Sequence, residues 1–392
     1  MLAVLNINKP AGLTSHDVVA RVRRVLGLQK VGHAGTLDPQ ATGVLPIFIG
    51  QATRLLEYVR TDKSYRATIT LGMTTTTWDG DGECEHRLEV PPVVTPQAIE
   101  ALLPWLQGTI EQTIPLYSAK RVGGKKLYER ARSGEVISVL PTKTVTIHQI
   151  GLESLTTNEQ GYPVVTLAVH CGSGTFMRTL AHDLGQWLGC GAYLSHLVRT
   201  GHGHFHIQHS VDLDEWMASE LPREALQSPL PYLNLPTVVC VYPGVIQALF
   251  AGTNVLERQL MLQAPSLLER LRALGIKNNE ECLLVDANQQ ILGVALWQNH
   301  ALKAHKMFPP KAVTQPKVLA NSSKRSGAGY SKRPGPRRGP SGGGASFSRF
   351  NRSQSMLDAA VSNVSSEPAA IQVVALPQAA AQGKVPISVV DV

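Results

Sequence analysis

The chain has 392 residues, of which 43% are hydrophobic and 17% are charged, so it is long enough for two or three domains with buried cores. It contains no apolar run of about 18 residues, and its start lacks a basic segment followed by an apolar one, which argues against a membrane span and a secretory signal. Five scattered cysteines without a CxxC motif argue against a disulfide framework and a zinc knuckle, and they predict a reducing, cytoplasmic location.

The positive charge is concentrated in the C-terminal tail. Residues 309–392 hold 11 Lys and Arg against 3 Asp and Glu, which equals the whole net charge of +8, so the preceding residues hold 26 of each sign. Pro, Gly, Ser and basic residues dominate this tail. Such a composition buries too little apolar surface to fold, so the tail is predicted to be disordered. It is either a solvated linker or a flexible tether whose cations contact RNA phosphates and whose aromatic rings stack on bases.

The body of the chain begins with a helix followed by strands. The segment TSHDVVARVRRVLG predicts a helix with Ser15 as its N-cap and Gly27 at its end. The segment TGVLPIFIG predicts a buried strand, and QATRLLEYVRT predicts a short helix. The segment SYRATITLG predicts a strand that turns Tyr65 and the alternate apolar residues after it to one face.

Helices and strands continue to mix further along the chain. The segment TPQAIEALLPWLQG predicts a helix with Thr95 as its N-cap. The segment from YPVVTLAVHC to DLGQWLG predicts a strand, a glycine turn and a helix capped by Thr175, and AYLSHLVRTGHGHFHI predicts a further strand. Because no regular βαβ period appears, the body is predicted to be an α+β fold. Residues 233–308 change to short strands around a helix or turn, which predicts a separate, small β-rich domain.

Several long motifs carry a resemblance to a known family. They are NKPAGLTSHDVV, GHAGTLDPQATGVL, KSYRATITLG, PLYSAKRVGGKKLYERARSGE and CGSGTFMRTLAHDLGQWLGCGAYLSHLVRT. Over residues 3–215 the sequence resembles the TruB-type tRNA pseudouridine synthases, which convert uridine 55 in the TΨC arm of tRNA to pseudouridine. The resemblance implies a catalytic domain over 1–232, with a mixed, largely antiparallel sheet and a central cleft. It also implies that residues 233–308 form a PUA-like RNA-binding domain that holds the acceptor stem.

The resemblance assigns catalysis to three residues. Asp38 matches the catalytic aspartate, Arg178 the arginine that pairs with it, and Tyr65 the tyrosine that stacks on the target base. Breaking the C1′–N1 bond leaves an electron-poor sugar carbon, which a carboxylate can attack or whose adjacent 2′ proton it can take. From the residues alone, Asp38 is more typical of a turn, Arg178 of a helix surface and Tyr65 of a half-buried strand.

Four further residues match positions that contact the substrate in the family. His33 matches the histidine that fills the stack after the target base is flipped out. Phe176 and Leu197 match apolar positions that line the uracil pocket, although the family more often has Tyr where Phe176 stands. Asp79 aligns with an acidic position near the site, and an Asp-Gly turn explains it nearly as well.

A basic segment and a histidine run are the remaining candidates. In the family, SAKRVGGKKLYERAR forms a thumb that closes on the T arm, and a solvated helix face is the competing interpretation. Its phosphate-contacting candidates are Lys120, Arg121, Lys125, Lys126, Arg130 and Arg132. The run GHGHFHIQH would place three histidines on one strand face. No carboxylate or cysteine accompanies them, so no metal site is predicted.

The predicted enzyme acts on tRNA as a monomer, without cofactor, metal or guide RNA. The segment CGSGTFM lacks the pattern of a dinucleotide-binding fingerprint, and the chain has no P-loop. Two other classes of function stay open. One is a guide-dependent pseudouridylase within an RNA–protein complex. The other is a non-catalytic RNA-binding factor, which Asp38, Tyr65 and Arg178 together disfavour because binding alone does not require that set.

Overall fold

The computed structural model describes residues 1–309 apart from 119, 123, 134 and 136–138. The tail that is predicted to be disordered lies outside the described residues from residue 310 onward. The described residues all belong to one compact unit. None of the helices described is long and apolar enough to cross a membrane.

The described residues form nineteen strands and eight α-helices. The strands are β1 (Leu2–Lys9), β2 (Val31–His33), β3 (Thr42–Gly50), β4 (Lys63–Leu71), β5 (Met73–Thr75), β6 (Cys84–Arg87), β7 (Gly108–Thr113), β8 (Arg121–Val122), β9 (Lys125–Lys126), β10 (Thr142–Thr157), β11 (Pro163–Cys171), β12 (Ala192–His202), β13 (Phe205–His206), β14 (Val211–Asp212), β15 (Thr237–Val239), β16 (Val255–Leu256), β17 (Glu280–Val285), β18 (Ile291–Gln298) and β19 (Ala301–Met307). The helices are α1 (Ser15–Leu26), α2 (Pro96–Leu106), α3 (Leu127–Arg132), α4 (Met177–Trp187), α5 (Leu213–Ala218), α6 (Pro243–Phe250), α7 (Glu257–Gln263) and α8 (Pro265–Ala273). Short 3₁₀ helices cover Gln51–Tyr58, Ile207–His209 and Leu230–Tyr232.

Ten strands form one large sheet in the order β14-β1-β3-β12-β4-β11-β10-β7, with β2 added to β3 and β13 added to β12. Within it, β1–β14 and β3–β12 pair in parallel and the other pairs are antiparallel. The prediction of an α+β fold with a mixed, largely antiparallel sheet is therefore confirmed. A second sheet of five strands, in the order β15-β17-β18-β19-β16, accounts for the β-rich pattern after residue 233.

The predicted face of β4 is confirmed. Ala67, Ile69 and Leu71 are fully buried, and Leu180 and Leu184 of α4 belong to the same hydrophobic cluster. This alternation places every second side chain of the strand against the helix layer. Tyr65 lies on the same face of the strand, at the point where this cluster meets the one beneath α1.

The predicted cap of α1 is wrong by one residue. Thr14 is the N-cap: its hydroxyl accepts from the N–H of Asp17 at 3.1 Å, and the Asp17 carboxylate accepts from the N–H of Thr14 at 2.9 Å. This reciprocal pair is a capping box. Ser15 is buried, and its Oγ accepts from the N–H of Leu37 at 2.8 Å. The predicted end at Gly27, with φ 65°, is confirmed.

The predicted N-cap of α2 is confirmed, because the hydroxyl of Thr95 accepts from the N–H of Ala98 at 3.2 Å. The predictions for the cap of α4 and for the helix after β3 need correction. The N-cap of α4 is Phe176, without a side-chain capping bond. Thr175 does not cap this helix, because its hydroxyl donates instead to the carbonyl of Gly172 at 3.0 Å. The predicted helix after β3 forms, but as a 3₁₀ helix.

The two sheets share a hydrophobic cluster. Val4 and Phe48 of the large sheet are buried in it together with Leu283 and Val294 of the second sheet. The second sheet therefore packs on the large sheet. The division at residue 232 stays a prediction.

Candidate active site

Asp38 lies in the loop between β2 and β3. Its neighbours Leu37 and Ala41 are buried, whereas the Asp38 side chain is 57% exposed. The Ser15 hydroxyl holds Leu37, as described above, and the N–H of Ala41 donates to the carbonyl of Asp38 at 3.1 Å. The buried neighbours therefore anchor a short loop that presents one carboxylate to solvent.

A buried lysine fixes the C-terminal side of this loop. Lys9, at the end of β1, is fully buried, and its Nζ donates to the carbonyls of Pro10, Leu13 and Pro39 at 2.8, 2.7 and 2.8 Å. Burial lowers the pKa of Lys9 to about 8, against an opposing contribution from the charge of Asp38. Lys9 thus connects β1 directly to the residue after Asp38.

A buried arginine fixes the other side. Arg199 of β12 is fully buried, and its guanidinium donates to the carbonyls of Val44, Thr36 and Gly35 at 2.7, 3.2 and 3.2 Å. Gly43 has φ +99°, and a Cβ there would lie 2.2 Å from the Arg199 carbonyl oxygen. Only glycine fits this close approach of β3 to β12.

Arg178 lies in the first turn of α4, and its side chain is only 10% exposed. Its Nη2 is 3.5 Å from Oδ2 of Asp38 and 3.2 Å from the carbonyl oxygen of Tyr117. Its Nη1 is 3.2 Å from Oδ2 of Asp79 and 3.4 Å from the carbonyl oxygen of Thr77. One planar guanidinium therefore bridges two carboxylates and two carbonyls, a geometry that suits arginine and not lysine.

Asp79 is both a turn residue and a member of the site. Its Oδ1 accepts from the Thr77 hydroxyl and from the N–H of Asp81 at 3.1 Å, which leaves Oδ2 for Arg178. Partial burial, and then the charge of Asp79, raises the pKa of the Asp81 carboxyl. The turn therefore presents the Asp79 carboxylate to Arg178, and the role of Asp79 toward the substrate stays a prediction.

Tyr65 and Leu197 lie between the two hydrophobic clusters on the inner face of the sheet. Burial raises the pKa of the Tyr65 phenol to about 12, and the charge of Arg199 and its hydrogen bond to the phenol oppose this rise. Tyr65 therefore keeps its proton at neutral pH. Its ring is held by apolar neighbours, and its hydroxyl faces a fixed cation.

A cavity of about 540 Å³ opens at the N-terminal end of α4 and along β12. Its walls include Asp38, Asp79, Arg178 and Leu197. This volume is within the range of sites that hold small molecules. Four of the seven predicted catalytic and substrate-contacting residues therefore meet around one opening.

The other predicted substrate residues lie outside the described walls of this cavity. His33 ends β2 and is partly buried; burial, followed by the charge of Arg199, lowers its pKa. Phe176 is partly buried at the start of α4, and its N–H donates to Oε1 of Gln112 at 2.9 Å. Their roles stay predictions.

The basic segment forms a β-hairpin, β8–β9, followed by α3, and not one continuous helix. Lys120 is exposed, and Nε of Arg130 is 2.9 Å from the Glu135 carboxylate. The predictions for four other side chains lie outside the described parts: Arg121, Lys125, Lys126 and Arg132.

The histidine run does not place three histidines on one strand face. His202 ends β12 and is buried, whereas His206 belongs to β13, after a turn. Within the residues that the structure describes, no group of three or more His, Cys, Asp or Glu is arranged to hold a metal ion. Burial, then the charges of Arg199 and Lys63, lowers the pKa of His202 to about 3.

The sequence matches known protein families over residues 23–234. Residues 23–177 match the model of the TruB family pseudouridylate synthase N-terminal domain, and residues 178–234 match that of the tRNA pseudouridylate synthase B C-terminal domain. The chain is 47% identical to tRNA pseudouridine synthase B of Bacillus pumilus over 214 residues, which cover 54% of this chain and 69% of that protein. The chain belongs to the TruB family. The Heliobacterium mobile member is 48% identical over 225 residues, covering 57% of this chain and 72% of that protein, and the Nostoc member is 42% identical over 254 residues, covering 61% and 82%.

Solved structures show the same fold as this TruB-family chain. A chain from "Structure of H/ACA RNP bound to a substrate RNA containing 2'-deoxyuridine" aligns with a TM-score of 0.55 and 22% identity, over 79% of this chain and 85% of that one. A chain from a Cbf5-Nop10-Gar1 complex gives 0.55 and 23%, over 79% and 85%. Residues 1–232 are about three fifths of the sequence, so an alignment over 79% of the chain extends beyond residue 232.

Sequence reasoning did not select Lys9, Ser15 or Arg199 for the site. All three lie within the motifs that carry the family resemblance, in NKPAG, LTSHD and LVRTG. Membership of those motifs is the signal that could have found them. A lysine or arginine in a strand is otherwise expected to be solvated.

Proposed function

We propose that this TruB-family pseudouridine synthase converts uridine 55 in the T arm of tRNA to pseudouridine. The observation that carries the proposal is the contact between Nη2 of Arg178 and the exposed carboxylate of Asp38, at the wall of a nucleotide-sized cavity. Asp38 is the catalytic group, because it is the carboxylate that the buried cations Lys9 and Arg199 fix through its own loop.

Two routes are open to Asp38. In the first, the carboxylate attacks C1′ while the C1′–N1 electron pair leaves with the uracil. The uracil turns, its C5 bonds to C1′ and displaces the carboxylate, and N1 gains a proton as C5 loses one. In the second, the carboxylate takes the 2′ proton as the base leaves with the C1′–N1 electron pair. The 2′ carbon regains this proton when C5 bonds to C1′, and N1 gains a proton as C5 loses one. Each route conserves all atoms, consistent with an isomerisation that uses neither metal nor cofactor.

The surrounding residues have supporting roles in this proposal. Arg178 orients Asp38, Tyr65 stacks on the target base, and Leu197 and Phe176 line the uracil pocket. His33 fills the stack that the flipped uridine leaves, which offsets the cost of unstacking. Because the chain has Phe at position 176, no hydroxyl contacts the base from there.

Other parts of the chain would bind the remainder of the tRNA. The thumb candidates of the basic segment contact T-arm phosphates, and the second sheet holds the acceptor stem. The tail, which lies outside the described residues, contacts RNA through cations that add affinity without choosing a base. The enzyme works as a cytoplasmic monomer and without a guide.

The direct test uses purified protein and unmodified tRNA transcript without any other RNA. Pseudouridine mapping is expected to find conversion at position 55 alone. The same mapping on tRNA from cells with and without the protein should show loss at that position. Conversion only after a guide RNA is added would favour the guide-dependent alternative. Tight binding without conversion would favour a non-catalytic RNA-binding factor.

A further inference from the structure

Trp78 has an unusual backbone conformation next to the candidate active site. It adopts a left-handed φ of 61°, and the other non-glycine residues described with positive φ all lie beyond residue 278. A bulky residue rarely takes this conformation, because its Cβ crowds the backbone. Some interaction must therefore hold Trp78 in place.

The left-handed turn brings two groups onto one nitrogen of Arg178. The carbonyl of Thr77, just before Trp78, and Oδ2 of Asp79, just after it, lie 3.4 and 3.2 Å from Nη1. The two groups that contact Nη1 thus flank the left-handed residue, so the backbone conformation at Trp78 sets where both of them lie.

The same turn is attached to two strands and to α4. The N–H of Trp78 donates to the carbonyl of Thr75 at 3.1 Å, and its carbonyl accepts from the N–H of Leu194 at 3.0 Å. The indole ring stacks on His182, with centroids 4.2 Å apart and planes inclined by 15°. His182 lies one helical turn after Arg178, so the stack joins the turn to the helix that carries the arginine.

The chemistry of His182 suits a neutral stack. Burial lowers the pKa of this imidazole, and the charge of Glu85 opposes the shift only in part. Its Nδ1 is buried without a hydrogen-bond partner among the described residues. A neutral ring held in this way packs on an indole as an aromatic pair.

We propose that Trp78 and His182 form a positioning clamp, which fixes Thr77 and Asp79 on Nη1 of Arg178 and thereby keeps Nη2 directed at Asp38. Neither ring touches the substrate in this proposal. Both act through the guanidinium. The inference rests on the proposed function, because it takes the contact between Arg178 and Asp38 to be catalytic.

The test compares substitutions that distinguish the effect of the Trp78 ring from the effect of its strained backbone. Trp78→Gly relaxes φ but removes the stack, Trp78→Phe keeps a stacking ring, and His182→Ala removes the other partner. Trp105→Ala, at a position 74% exposed on α2, is the matched control for loss of a tryptophan. The rate of a single turnover with enzyme in excess and the Kd for tRNA are measured for each.

We expect Trp78→Gly and His182→Ala to slow the bound complex by about five- to tenfold, the worth of an aromatic pair, with Kd unchanged within about twofold. Trp78→Phe should recover at least half of the rate, and Trp105→Ala should match the wild type. In an Asp79→Asn background, Trp78→Gly should add little, because the clamp acts through that carboxylate. The clamp would be overturned by wild-type rates in both Trp78→Gly and His182→Ala, or by weaker tRNA binding with an unchanged rate. Additive losses of rate when Trp78→Gly is combined with Asp79→Asn would also overturn it.

Measuring Tm tests the clamp even if the protein has no pseudouridine synthase activity. Trp78→Gly and Arg178→Lys should shift Tm non-additively, because the stack and the guanidinium hold the same turn. If the wild-type protein forms no pseudouridine, the proposed function fails, and this cycle still decides the clamp. Additive shifts in Tm would then refute it.

Discussion

Arg178→Lys tests the geometry of the site most sharply among charge-conserving changes. The guanidinium divides its contacts between two nitrogens: Nη1 faces Asp79 and Thr77, and Nη2 faces Asp38 and Tyr117. A lysine ammonium is a single nitrogen and can serve only one side. The variant therefore loses one contact to a carboxylate, worth about 1.5–3 kcal/mol, and one to a carbonyl, worth about 1 kcal/mol. The sum of roughly 2.5–4 kcal/mol corresponds to a loss of about 70- to 850-fold in the single-turnover rate.

The assay is release of tritium from the C5 position of uridine in tRNA, with enzyme in excess over substrate. Arg66→Lys is the matched control, because Arg66 forms an ion pair with Glu153 in which its side chain is 55% exposed, and such pairs contribute little. The control should keep its rate, and both variants should bind tRNA normally. If Arg178→Lys turns over within about threefold of the wild type, the bridging role of this guanidinium is wrong.

Three further changes test other parts of the structure. Gly43→Ala should destabilise the fold by about 3 kcal/mol or more, since its Cβ would meet the Arg199 carbonyl. Gly108→Ala is the control: Gly108 has φ +91° with nothing within 4 Å of an added Cβ, so this change should cost about 1 kcal/mol. Equal losses in free energy of unfolding, measured by denaturant titration, would contradict the prediction. His33→Ala should slow action on folded tRNA more than on a substrate whose target uridine is already unstacked, and equal losses in single-turnover rate would instead assign His33 to chemistry or folding. His202 has a pKa of about 3 in the folded state and about 6.5 in the unfolded state, so its contribution to stability is complete above pH 6.5 and decreases as the pH falls, by about 2 kcal/mol at pH 5. The free energy of unfolding of His202→Gln should therefore decrease less between pH 7.5 and pH 5 than that of the wild type. An equal decrease in both proteins would refute the burial argument.

Patterns of apolar residues predicted the fold well where one face of an element is buried. The stripe Val18, Val19, Val22 and Leu26 is buried under α1, and the alternate residues of β4 are buried as the spacing indicates. Such burial depends mainly on local periodicity, which a sequence displays directly. The ends of elements depend on single hydrogen bonds, which a sequence leaves ambiguous.

The segment LTSHD illustrates that ambiguity. Thr14 and Ser15 are both good N-caps, and the spacing to Asp17 favours Thr14 because a capping box joins residues three apart. Ser15 is instead needed by the loop of Asp38, twenty-two residues away. A bond between distant residues of this kind is absent from any local pattern.

The candidate site was predictable only in part for the same reason. Asp38, Asp79, Arg178 and Leu197 come together at one cavity, as the family motifs imply. Lys9 and Arg199 were missed, because their hydrogen bonds go mainly to backbone carbonyls whose positions depend on the complete sheet. The local sequence does not show which carbonyls surround these two cations.

The most direct test of the catalytic role of Asp38 is the single-turnover conversion of unmodified tRNA by Asp38→Asn, measured beside the wild type. Asparagine is nearly isosteric with aspartate, so the loop held by Lys9, Ser15 and Arg199 should keep its structure, but the amide can act neither as a nucleophile nor as a base. The proposed role of Asp38 predicts normal tRNA binding and Tm with no pseudouridine formed at position 55, while the wild-type protein converts that uridine without a guide. Substantial conversion by pure Asp38→Asn protein would contradict the assignment of catalysis to Asp38.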